Sequence, residues 1–361
     1  MSKARQLADL GNVYDDGALS NRNLVINGKF EVNQRNDGSS TAVSVGNSYL
    51  IDRFNLYTDA TAFAVYSATH EIASDAPDGF NKSLKITCTS GGAVPATGEV
   101  VFRQKIEGYS SSVLNYGSAN GESATVSFWI KASVTGDYGL QFIYYDGTNN
   151  NFYVSKYTVN SANTWEYKTV TIPPQTSNPF DNVTNGTGLV VYWDLGEGSD
   201  YSGTADAGWT TTYRNGLSGG VKLMENTGAT WQITGVSLEI GDTATPFEHR
   251  SYGQELALCQ RYFYRLPIYT ETVFGLLFNG RHVCQVPFPT TMRTNPSAST
   301  PSWNTGRYGG GSFLAGASLS INTTFPTTNN YAWDVSSGSY PLSDRSGAMQ
   351  TITTVDFDAE L

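Results

Sequence analysis

The chain has 361 residues, only 15% of them charged, with a formal net charge of −10 and an isoelectric point near 4.8. That acidity and the lack of a Lys/Arg cluster argue against nucleic acid as a partner, because a phosphate backbone would be repelled. Three widely spaced cysteines, Cys88, Cys259 and Cys284, argue against a disulfide framework or a zinc centre, and no run of about 18 apolar residues predicts membrane insertion.

Residues 1–21 differ in pattern from the rest of the chain. Ala4, Leu7, Ala8 and Leu10 are spaced for a short amphipathic helix, succeeded by an acidic, Gly-containing linker. About ten residues of helix are marginal alone, so the segment is expected to order only against sister chains or a larger assembly. It has no signal-peptide run, and the chain is expected to be made in a reducing cytoplasm.

From 22 to 250 the chain reads as successive strands at 23–32, 49–57, 62–68, 82–89, 99–108, 124–133, 138–146, 165–173, 189–195 and 229–240. The period-two pattern is clearest where Thr125, Ser127, Trp129 and Lys131 alternate with Val126, Phe128, Ile130 and Ala132. Strands separated by turn signals, with no helices between them, predict an all-β chain whose main domain is an antiparallel jelly-roll sandwich. Trp129, Trp165 and Trp231 fall within strands and are expected in its core. The intervening loops, at 74–80, 110–121, 146–151, 174–188 and 196–220, are rich in Gly, Ser, Asn, Asp and Tyr, and recognition is expected there.

Beyond the N-terminal segment, the stretch 251–266 is the expected helix, a connector of about four turns at 3.6 residues each. Ser251 and Gln254 have the spacing of a capping box, Pro267 stops the segment, and Tyr252, Leu256, Cys259 and Phe263 form an apolar stripe. Residues 267–361 read as a smaller β domain with strands in 274–288, 318–325 and 349–357.

Two resemblances rest on these stretches. The opening NLVINGKFE (23–31), SFWIKAS (127–133), TWEYKTVTIP (164–173) and the closing WQITGVSLEIGDTATPFEHR (231–250) resemble jelly-roll carbohydrate-binding modules of families 4, 9 and 22. That closing stretch, continued by SYGQELALCQRYFYR (251–265) and QVPFPTTMRTNP (285–296), resembles tail-fibre and receptor-binding proteins of tailed, cyanophage-like bacteriophages, as does SKARQLADL (2–10). The resemblance implies a homotrimeric virion fibre, anchored to tail or neck proteins through an N-terminus bearing Ala4, Leu7 and Leu10, with a jelly roll that contacts host-surface polysaccharide. A purely structural tail, neck or head appendage is the alternative, and a polysaccharide depolymerase a third reading. The resemblance also leaves a structural calcium open. Glu31 matches its first ligand, whereas Gly235 stands where the second carboxylate is often found.

No nucleophile motif surrounds His70, His249 or His282, and a structural role is expected for each. Asp146, Asp194 and Glu197 are candidate carboxylates for glycan hydrolysis, but solvated loop charges explain them as well, and a non-enzymatic protein is expected. The stronger signal is aromatic. Tyr144, Tyr145, Tyr201, Trp209 and Tyr213 lie in or beside polar loops, combining flat rings for a sugar's C–H face with groups for its hydroxyls; a trimer interface and ordinary packing are the competing uses of the same rings.

Overall fold

The computed structural model describes residues 22–361 apart from 37, 146–149, 179–182, 267–271, 279–280, 300–302, 307–319, 337–347 and 352–354. Ala4, Leu7, Leu10 and Asp146 lie outside the described residues. The chain divides into two compact units, Met1–Tyr252 with Leu361, and Gly253–Glu360.

The first unit contains β1 (Thr41–Ala42), β2 (Gly46–Ile51), β3 (Phe54–Thr58), β4 (Ser67–Ala73), β5 (Ser83–Ser90), β6 (Val100–Glu107) and β7 (Ala124–Ala132). It continues with β8 (Gly136–Tyr145), β9 (Asn150–Val159), β10 (Glu166–Ile172), β11 (Thr187–Asp194), β12 (Ser202–Gly203), β13 (Gly216–Leu217) and β14 (Thr230–Ile240). Two six-stranded antiparallel sheets form a jelly-roll sandwich: sheet A in the order β1-β4-β5-β14-β7-β10 and sheet B in the order β2-β3-β6-β11-β8-β9. Inward positions alternate as the period of two requires. Val126, Phe128, Ile130 and Ala132 of β7 are fully buried, and they meet Tyr138, Leu140, Phe142 and Tyr144 of β8 and Leu189, Val191 and Trp193 of β11 in one core. Its centre is aromatic. Phe54 stacks on Phe102 at 5.2 Å, Phe102 lies 5.4 Å from Trp231, and the Trp231 indole N–H donates to the Tyr157 hydroxyl at 3.0 Å.

Three expectations are corrected in this unit. Residues 23–32 form no strand: Asn27 and Phe30 take left-handed backbone conformations (φ 63° and 55°), which breaks the pleat although the segment stays buried. Its shape is held by side chains instead. Asn27 Nδ2 donates to the carbonyls of Val32 and Asp52, and Asn23 Oδ1 accepts from Val25 and Leu238. The second correction concerns 62–68, where a helical turn at Ala60–Phe63, capped by Asp59, precedes β4. The third concerns two tryptophans. Trp231 is fully buried, whereas Trp129 is half-buried on the outer face of sheet A beside Tyr167, and Trp165 precedes β10 with its indole donating to Asp75 at 3.1 Å.

In the second unit the helix α1 spans Tyr252–Gln260, nine residues, and the chain then enters β15 (Phe263–Leu266). The expected helix to 266 is thus too long: Phe263, Tyr264, Arg265 and Leu266 pair with β23 (Val355–Asp358), and the β-favouring aromatics go to a sheet. The expected stripe also splits. Cys259 is fully buried and Phe263 nearly so, but Tyr252 is 55% exposed and Leu256 half-buried. The remaining strands are β16 (Thr272–Phe278), β17 (Arg281–Pro287), β18 (Ser297–Ala298), β19 (Trp303–Gly306), β20 (Ser320–Pro326), β21 (Asn330–Ser336) and β22 (Ala348–Thr351). They form a six-stranded sheet, β19-β22-β16-β17-β21-β20, and a three-stranded one, β15-β23-β18. Leu266, Val286, Met292, Val355 and Phe357 make this unit's core, with Arg265 paired to Asp356 through two contacts of 2.6 Å.

Candidate functional site

The outward-facing positions of sheet B line up across strands because antiparallel register places side chains of equal parity beside one another. One row runs Tyr49, Asn55, Arg103, Tyr192 and Gln141; the next runs Asn47, Tyr57, Val101 and Asp194. Arg103 is the pivot. Its Nε donates to Asn55 Oδ1 at 3.0 Å, one terminal nitrogen donates to the Tyr192 hydroxyl at 3.1 Å, and the other reaches Asn47 Oδ1. The guanidinium also lies 4.8 Å from the Tyr57 ring centroid and 5.4 Å from that of Tyr192. A half-buried cation is thereby fixed between two rings and two amides, leaving little side-chain entropy to lose on binding.

The long segment 196–221 covers the Gln141 and Asp194 end of these rows, where the Leu217 N–H donates to Asp194 Oδ2 at 3.0 Å. Its β12 and β13 pair in parallel, and it lies along β9 through paired hydrogen bonds between Phe152 and Thr210, 2.7 and 3.0 Å. Tyr213 packs edge-on to Phe152 and to Tyr201. Its hydroxyl donates to Glu99 Oε1 at 2.6 Å and accepts from Asn215 Nδ2 at 2.5 Å. Burial raises the Glu99 carboxyl above the usual range, opposed by that bond and by Arg103. Burial likewise raises the Tyr57, Tyr145, Tyr192 and Tyr213 hydroxyls, and the Glu99 bond raises Tyr213 further. All four therefore stay neutral donors at ordinary pH.

Of the five aromatic residues expected to contact sugar, three border this face: Tyr145 half-buried at the end of β8, and Tyr201 and Tyr213 on the covering segment. Tyr144 does not. It points inward as the neighbour of an outward residue must, is fully buried, and packs against Tyr116 and Trp209. Trp209 is a packing residue as well, its ring against Tyr116, Tyr144 and Tyr153 and its indole N–H on the Pro173 carbonyl at 3.0 Å. Tyr57, Glu99, Arg103 and Tyr192 are not among the residues that sequence reasoning singles out. Their signal is the polar or aromatic alternate within strands, but nothing local says which sheet face turns away from the core, and Tyr192 is itself buried there.

The Glu31 carboxylate pairs with Lys29 at 2.8 Å, and Gly235 has φ +64° at the β14 bulge, where an added Cβ would fall 2.6 Å from the Phe80 ring. Among the described residues, no three or more His, Cys, Asp or Glu side chains are grouped to hold a metal. Two of the carboxylates considered for hydrolysis, Asp194 and Glu197, lie together under the 196–221 segment, 2% and 1% exposed. Burial pushes Asp194 up to about 6 despite three N–H donors, and pushes Glu197 well up with Asp194 beside it. His70 is buried, and His249 packs against Phe80 and Phe247.

No family model matches the chain, and no curated protein matches it. Solved structures do. The enzymatically active domain of tailspike protein 4 of bacteriophage CBA120 is similar at 14% identity over 61% of this chain and 21% of that one, with a TM-score of 0.30. A family 4 carbohydrate-binding module is similar at 17% identity over 59% of this chain and 97% of that one, with a TM-score of 0.29. The CBM22-1–GH10 modules of Clostridium thermocellum xylanase 10B, complexed with xylohexaose, are similar at 12% identity over 63% and 30%, with a TM-score of 0.31. The chain thus spans about a fifth of the tailspike domain it matches.

Proposed function

We propose that the chain is a non-enzymatic glycan-binding protein of a phage virion, which grips host-surface polysaccharide on the outer face of sheet B. The observation that carries this is Arg103, held between Tyr57 and Tyr192 by Asn47 and Asn55, with the Tyr213–Glu99 pair alongside. Rings offer a surface for sugar C–H groups, while fixed donors and acceptors select hydroxyls, the combination a polar ligand with apolar faces requires. A non-catalytic role is supported by the burial of Asp194 and Glu197, since a glycosidase needs both carboxylates to reach the scissile bond.

The fibre role rests on the resemblance of residues 2–10 and 231–265 to phage fibres, with Ala4, Leu7 and Leu10 attaching to tail or neck proteins and three chains associating. Three linked sites would turn weak single-site binding into useful avidity. The test is a glycan array and cell-adsorption assay with the purified chain, and then with Arg103→Ala. Binding lost in the variant while its melting is unchanged supports the reading; no binding by the parent at high concentration refutes it and leaves the structural appendage. Light scattering reads the oligomeric state directly.

A further inference from the structure

Beneath the 196–221 segment, the polar groups are out of balance. Asp194 is satisfied by backbone alone: Oδ1 accepts from the Gly196 and Glu197 N–H groups at 3.0 and 2.9 Å, and Oδ2 from Leu217 at 3.0 Å. Its neighbours are not. Among the described residues, both Glu197 oxygens, both amide atoms of Gln141 and the Asn215 Oδ1 have no hydrogen-bond partner, although Gln141 is fully buried and Asn215 is 2% exposed. Four oxygens thus face one nitrogen donor, and a proton on Glu197 would serve only one of them. Buried oxygens in such excess call for positive charge.

Three of these side chains lie against two glycines. A Cβ added at Gly216 would sit 2.3 Å from Glu197 Cβ and 2.9 Å from Asp194 Oδ2; one added at Gly139 would sit 2.3 Å from Gln141 Nε2 and 3.1 Å from the same Asp194 oxygen. Two glycines therefore let the backbone approach Asp194 Oδ2, with the Glu197 stem beside one and the Gln141 amide beside the other. The basic group acting on both carboxylates is Lys222, which pairs with Glu225 at 3.9 Å, while Glu99 and Asp59 add negative charge on the Glu197 side.

We propose that Asp194, Glu197 and Gln141, with Asn215 beside them, hold a divalent cation of the calcium class that fastens the 196–221 segment to sheet B. Carboxylate and amide oxygens are the donors such a hard cation takes, six to eight in a flexible arrangement, and two carboxylates match its charge. Magnesium demands stricter octahedral geometry, and transition metals prefer imidazole or thiolate, which this cluster does not supply. The proposal is independent of the glycan reading, because cation binding is measured without sugar.

The full chain, dialysed against chelator, is titrated with calcium chloride by calorimetry and by terbium luminescence, and its melting is measured with and without calcium. The expected result is saturable one-to-one binding and a melting point raised by calcium. Glu197→Gln and Gln141→Leu should each weaken binding at least about tenfold, and Glu31→Gln should leave it unchanged. Should Glu197→Gln fail to fold, Gln141→Leu carries the comparison. A parent indifferent to calcium, site variants that bind as the parent does, or loss of binding in Glu31→Gln would each overturn the assignment.

Discussion

His70 offers a sharp test of how the sandwich depends on protonation. It lies on β4 opposite Ile86, is 5% exposed, and its Nδ1 has no partner among the described residues; burial holds its pKa down to about 4 against an ordinary value of about 6.5. A basic group with a depressed folded pKa is protonated first in the unfolded chain. Stability is therefore complete above pH 6.5 and is lost as pH falls from about 6.5 to about 4, at about 1.4 kcal/mol per pH unit. Between pH 7.5 and 4.5 the loss is about 2–3 kcal/mol, or roughly 5–10 °C in melting for a domain of this size. Buried Asp194, Glu197 and Glu99, all raised, push the other way in part of this window, and the lowered Asp75 and Asp137 push the same way at its acid end. The assay therefore compares the parent with His70→Leu by urea unfolding at both pH values, since every other group is common to the two. The variant should lose about 2–3 kcal/mol less on acidification, whatever its constant offset. Parallel pH curves for the two proteins would refute the reasoning.

Other outcomes depend on particular contacts. Trp231→Ala empties the centre of the core and removes the Tyr157 hydrogen bond; a loss of about 3–5 kcal/mol is expected in chemical denaturation. Gly235→Asp combines a left-handed backbone with a collision at the Phe80 ring, and should lower stability by about 1–3 kcal/mol without creating a calcium response at Glu31. Cys259→Asp should unfold the second unit in limited proteolysis, whereas Leu256→Asp, half-buried, should cost less than about 1.5 kcal/mol.

The sandwich is legible in the sequence because period-two alternation is a local property. β7 sends its apolar alternates to the core, where Val126, Phe128, Ile130 and Ala132 are fully buried, while Trp129 and Lys131 stay partly exposed; Thr125 and Ser127 are buried as well, which residue type does not foretell. The failures arise where a distant contact decides. Residues 23–32 look like a strand until Asn27 and Phe30 turn left-handed, a shape held by hydrogen bonds to residues as far away as Leu238. The end of α1 is hidden from local pattern because Phe263–Leu266 finds a partner in Val355–Asp358, some ninety positions on. In the site, Tyr144 and Tyr145 are adjacent and chemically alike, yet parity sends one to the core and the other to the surface. The Arg103 cluster draws on β2, β3, β6 and β11, so it exists only once their register is set.

The seam between the 196–221 segment and β9 has a consequence beyond the face it borders. β9 is the last strand of sheet B, and a terminal strand exposes a row of unpaired backbone groups that invites another chain. Here the Asp206 N–H donates to the Val154 carbonyl at 2.8 Å, and Thr210 both gives to and takes from Phe152. The long segment thus occupies this part of the margin of its own sheet. Copies of the chain crowded together meet no free strand margin there, and side-chain chemistry is left to decide what the β9 side meets.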